Sequence, residues 1–161
     1  MIYIAIDPGW SGALAIQRDD GGVGAYPSPD TIAGIASMMR DMKGYIDRPI
    51  TATIEKVHSM PGQGVKSVWR FAENTAAWKA SLACMQIPFI EIPPKKWMKQ
   101  LPCGLSKDKK TRKNQIKAFA QQVYPHLKVT LAKADALAML WTMTENETPE
   151  EMETELGVLL K

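Results

Sequence analysis

The chain has 161 residues, 45% of them hydrophobic and 23% charged, which is the length and make-up of one globular domain (1–161) that buries its own core without disulfide staples. No apolar run approaches bilayer-spanning length, and the first residues lack the basic lead-in of a signal peptide, so a cytoplasmic protein with no membrane partner is expected. The net charge of +3 is mild but unevenly spread: Lys95 to Lys117 is dense in lysine and arginine around one acid, Asp108, while 145–161 forms an acidic tail. Cys84, Cys103, His58 and His126 do not sit at the short spacings of a zinc site and read as reduced thiols and ordinary imidazoles.

In chain order, "IYIAI" and "GALAI" are two β-rich runs joined by the turn "DPGWSG". A second turn, "RDDGG", leads into "VGAY", so the first 26 residues read as a three-strand antiparallel meander. Ser28, Pro29 and Asp30 precede a helix on which Ile32, Ile35, Met38, Met39, Met42 and Ile46 recur at helical spacing. Pro49 to Val57 is a strand, His58 to Gly64 an irregular glycine-containing loop, and Val65 to Met85 a long alanine-rich helix. "IPFIEI" is a further strand, ended by Pro93 and Pro94. Lys95 to Gln100 is a short helix, Asp108 to Tyr124 a longer one stopped before Pro125, and Leu131 to Met143 a strongly apolar one.

This βββαβαβα order with a final helix predicts an α/β fold, one mixed sheet covered by helices on its faces. Three acids interrupt its apolar elements: Asp7 ends the first strand, Glu55 ends the fourth, and Asp135 stands near the start of the last helix. Singly, each has an ordinary explanation: a turn residue, a surface charge on an edge strand, a first-turn helix acid. Brought together they repel one another unless a cation is present, and hard oxygen ligands favour magnesium or manganese. Lys133 reads either as a solvent-facing residue or as a phosphate-facing cation beside the metals. Trp69, Phe71 and Trp78 read first as core or interface residues.

"IAIDPG", "IEKVHSMPGQG", "SVWRFAENTAAWKASL" and "KADALAML" together resemble the RuvC-type Holliday junction resolvases, in particular their phage-encoded branch, over about residues 1–143. That resemblance implies a ribonuclease H-like fold: a five-stranded mixed sheet, an antiparallel meander then parallel strands, flanked by helices. It also implies a homodimer that resolves four-way junctions and branched DNA by paired nicks, with the long helix at the dimer contact. Two Mg2+ or Mn2+ ions per site would lie among Asp7, Glu55 and Asp135, activating water and stabilising the leaving oxygen to give 5′-phosphate and 3′-hydroxyl ends. The family carries a fourth ligand three residues before the helix aspartate, where this chain has Ala132.

By the same resemblance His58 occupies the place of an aromatic wedge at the junction centre, and Gln63 could bond a base or phosphate beside it. Lys66, Lys95, Lys96, Lys99, Lys107, Lys109, Lys110, Arg112 and Lys113 are the expected phosphate contacts, and Lys133 joins the three acids as a catalytic candidate. Three other readings share these residues. They are a ribonuclease H-like nuclease of broader branched-DNA or RNA–DNA hybrid specificity, a junction-binding module weak in catalysis because of Ala132, and an actin-like ATPase. The last needs two such domains and leaves the basic stretch without a purpose.

Overall fold

A computed structural model describes residues 1–42, 48–58, 62 and 64–145; Ile46, Gln63 and the acidic stretch after Glu145 lie outside the described residues. The strands are β1 (Ile2–Asp7), β2 (Ala13–Gln17), β3 (Val23–Pro27), β4 (Ile50–Glu55) and β5 (Phe89–Ile92). The helices are α1 (Ile32–Asp41), α2 (Val65–Cys84), α3 (Pro94–Gln100), α4 (Lys109–Val123) and α5 (Leu131–Glu145). The five strands form one sheet in the order β3-β2-β1-β4-β5, antiparallel from β3 to β1 and parallel from β1 to β5. The meander and the mixed sheet are therefore as the turn chemistry and element order predicted.

Strand alternation divides the core in two. Ile2, Ile4 and Ile6 of β1, with Leu14, Ile16 and Ile54, pack under α1 and α2 against Met39, Trp78 and Leu82. The intervening residues Ala5, Ala13 and Ala15 face the other way, where their small side chains let α5 lie close on the sheet through Ala134 and Ala138. Helix α5 is apolar around most of its circumference because α3 and α4 cover the side turned from the sheet, as Trp97, Ile116 and Ala120 show.

Several boundaries move by a residue or two, each for a local reason. Helix α3 begins at Pro94 rather than Lys95, since proline is pre-set for the first helical position and lacks an N–H that would go unbonded there. Helix α4 starts after Asp108, whose carboxylate caps it by accepting from the Thr111 N–H at 2.8 Å. Strand β4 ends at Glu55, although the Lys56 N–H still donates to the Ile92 carbonyl at 2.8 Å.

Candidate active site

Strands β1 and β4 run parallel with Ile6 beside Ile54, so the next residue of each, Asp7 and Glu55, leaves the sheet next to the other. Their separation across the strands is set by the sheet spacing of about 5 Å, and their odd positions turn both toward the α5 face. Asp135, fifth residue of α5, completes the set: all three carboxylates line one cleft of about 640 Å3 at the carboxyl ends of the parallel strands. Open α/β sheets place ligands at this end of the strands.

The electrostatics of the cleft are those of buried carboxylates. Asp7 is held well above the ordinary carboxylate range by burial first, then by the charges of Glu55 and Asp135, with Lys113 partly offsetting them. Burial pushes Glu55 to about 7, against the lowering effect of a hydrogen bond from Trp97; Asp135 raises it and Lys113 lowers it. Asp135 is also raised by burial, moderated by Lys113 and Arg112. Among the described residues no three His, Cys, Asp or Glu side chains converge on a point that would hold an ion as they stand. As hard oxygen donors gathered in one cleft, the three carboxylates suit a divalent metal.

The indole N–H of Trp97 donates to Glu55 Oε1 at 3.0 Å, with the rest of the ring fully buried in the α5-side core. This contact between residues 42 apart in sequence fixes one carboxylate oxygen of a residue that lines the cleft. Trp97→Phe keeps an aromatic ring there and removes the donor. The Glu55 titration midpoint, followed by carboxyl 13C NMR, is expected to rise further above 7; an unmoved midpoint would show that the hydrogen bond has no hold on the carboxylate.

The turn after Asp7 is fixed by its glycines. Gly9 has φ +118°, and a Cβ there would stand 2.8 Å from the Phe71 ring; at Gly12 it would stand 2.0 Å from the Asp7 carbonyl oxygen. The Gly9 N–H donates to buried Asn74 Oδ1 at 2.7 Å, and Asn74 Nδ2 donates to Ser28 Oγ at 3.3 Å, which locks the turn to α2 and to the end of β3. Gly12→Ala is expected to lower the melting temperature by roughly 5–10 °C, because the obstructing atom is backbone and cannot swing away. A melting curve superimposable on wild type would contradict this packing.

The expected phosphate contacts divide by position. Lys109, Arg112 and Lys113 line the carboxylate cleft. Lys95, Lys99 and Lys107 line a second groove of about 500 Å3 between α3 and α4, which shares Met98 and Arg112 with the first. Lys66, Lys96, Lys110 and His58 are exposed and line neither. Lys133 is half-buried and lies two residues before Asp135, about 200° around the helix from it, and the carboxylate cleft does not include it. Ala132, on the Asp135 side of α5, adds no donor.

Of the aromatics on α2, Trp78 is fully buried, Phe71 lines the cleft and Trp69 is 73% exposed. Sequence reasoning passed over Trp97, Arg70 and Trp10, all of which border the carboxylates or touch one. For Trp97 a signal existed, since a buried indole N–H needs an acceptor. No helix among the described residues is long and apolar enough to cross a membrane.

The sequence matches no protein-family model and no curated protein. Solved structures do match. Thermus thermophilus RuvC in complex with Holliday junction substrate aligns with a TM-score of 0.64 at 12% identity, over 98% of this chain and 96% of that one. A second Thermus thermophilus RuvC structure aligns at 0.61 and 13% identity, over 98% and 97%. The chain has the RuvC-type, ribonuclease H-like fold, an α/β architecture with a five-stranded mixed sheet between two helical layers.

Proposed function

We propose that the chain is a divalent-metal-dependent DNA endonuclease that resolves four-way junctions and related branched DNA. One observation carries this reading: three elements distant in sequence bring Asp7, Glu55 and Asp135 into one cleft where burial disfavours their charge and whose rim carries Lys109, Arg112 and Lys113. Acids at the centre suit a cation, and cations at the rim suit a phosphate backbone. That a neighbour of the same fold was solved with a Holliday junction substrate supports branched DNA as the partner.

In this reading Asp7, Glu55 and Asp135 would together hold Mg2+ or Mn2+. The metal, when bound, supplies an activated water and stabilises the leaving 3′ oxygen. The residues of the chain do the rest: Trp97 fixes the Glu55 carboxylate, and the α4 cations draw the phosphate in. The basic groove between α3 and α4 carries a DNA arm away from the cut. The cleaved ends are a 5′-phosphate and a 3′-hydroxyl. The whole chain acts as a single domain, and two copies placing their clefts on opposite strands make the paired nicks.

The test is cleavage with magnesium of a four-way junction, a fork, a flap, a linear duplex and an RNA–DNA hybrid. Symmetric paired nicks in the junction are expected, and equal cutting of every substrate would replace this reading with a nuclease of broader specificity. Ala132 favours a second reading, a junction-binding module with weak catalysis, because it removes a donor from the α5 side of the cleft. Tight junction binding with no nicks in either magnesium or manganese would select it.

A further inference from the structure

Besides the α4 cations, the carboxylate cleft is lined by Arg70 of α2. Its guanidinium lies 4.6 Å from the centre of the Trp10 ring, on the turn that follows Asp7. Among the described residues it forms no ion pair with a carboxylate, although Glu73 is one helical turn away. The stacking is built rather than incidental. Asn74, four residues on and so on the same face of α2, accepts from the Gly9 N–H at 2.7 Å, while Phe71 packs on Gly9. Both contacts fix α2 against the turn that carries Trp10.

A guanidinium held over an indole by cation–π attraction spends no N–H on a carboxylate, so its N–H groups stay available to oxygen acceptors. A cation left without a carboxylate partner at the rim of an acid-lined cleft is suited to a phosphate. Helix α2 packs on one face of the sheet and α4 lies beyond α5 on the other side, so Arg70 reaches the cleft from the side opposite Lys109, Arg112 and Lys113. A strand crossing the carboxylates would pass between the two sets.

Building on the nuclease reading, we propose that Arg70, stacked on Trp10, grips a phosphate of the cut strand adjacent to the scissile one and fixes that strand against the α4 cations. Trp10 acts as a positioning residue, holding the fork flat before DNA arrives. Lysine has neither the planar face nor the two-pronged donor edge and does not replace it.

The experiment compares wild type, Arg70→Ala, Arg70→Lys and Trp10→Ala on a four-way junction with magnesium, using a series of substrates that carry one neutral methylphosphonate near the cut. Arg70→Ala is expected to lower kcat/KM by about tenfold or more and to reduce the slope of log affinity against log salt by about one. Arg70→Lys should recover little of this, and Trp10→Ala should fall between wild type and Arg70→Ala. One methylphosphonate should slow the wild type by a similar factor and slow Arg70→Ala no further. Arg70 is exposed, so its variants are expected to melt with the wild type. Equal sensitivity of wild type and Arg70→Ala at every phosphate would overturn the grip alone. A wild type that neither binds nor cuts any unmodified substrate would overturn the nuclease reading and this proposal with it.

Discussion

Asp7→Asn is expected to lower DNA cleavage by at least about 10^3-fold while leaving junction binding within a few-fold of wild type. The substitution is isosteric, so the turn held by Gly9, Gly12 and Asn74 is preserved. What changes is charge and ligand strength at the residue most penalised by its surroundings, where burial and the Glu55 and Asp135 carboxylates act together. An amide oxygen is a poor substitute for a carboxylate on a hard divalent ion. Binding survives because the rim cations Lys109, Arg112 and Lys113 are untouched, and the phosphates meet one negative charge fewer. Single-turnover cleavage in magnesium, beside binding in calcium, separates the two effects. A variant that cuts at the wild-type rate would remove Asp7 from the chemistry.

The second large effect is on stability. Folding desolvates Asp7, Glu55 and Asp135, so each holds its proton more tightly in the folded chain than in the unfolded one. Between the ordinary carboxylate range and about 7, where Glu55 titrates, the folded state binds more protons, and stability falls as pH rises through that window. The metal-free chain should therefore melt higher at about pH 5 than at about pH 7.5. Glu55→Gln, which keeps an acceptor for the Trp97 N–H, should raise the melting temperature near neutrality by roughly 3–8 °C and flatten the pH dependence. Magnesium should restore at pH 7.5 the stability that the acids remove, since a bound cation stabilises only the folded state. A melting temperature that rises steadily from pH 5 to 7.5 without metal would contradict the desolvation of these acids on folding.

The strand order and the meander were legible because "DPGWSG" and "RDDGG" are turn chemistry between short apolar runs, and because β2 and β3 pair with their sequence neighbours. The joining of Asp7 to Glu55 was legible only in part. Each ends an apolar strand, but that they share a face follows from the parallel register of β1 on β4, which lies in long-range pairing. Trp97 on Glu55 and Arg70 on Trp10 connect positions 42 and 60 residues apart through packing of α3 and α2, and no local periodicity carries that information. Lys133 stands two residues before Asp135, a spacing that on a helix turns it to the opposite side, and the carboxylate cleft does not include it. The basic stretch reads as one feature, yet the fold distributes it over two grooves that share Arg112, with Lys96 and Lys110 in neither.

The proposed chemistry requires that Asp7, Glu55 and Asp135 form one metal centre. Anomalous diffraction at the manganese edge from crystals grown with Mn2+ and a four-way junction tests it directly. A manganese peak is expected in the cleft at ligand distance, about 2.2 Å, from oxygens of these three residues. Manganese bound elsewhere on the chain, with the junction in place and the three carboxylates without metal, would contradict it.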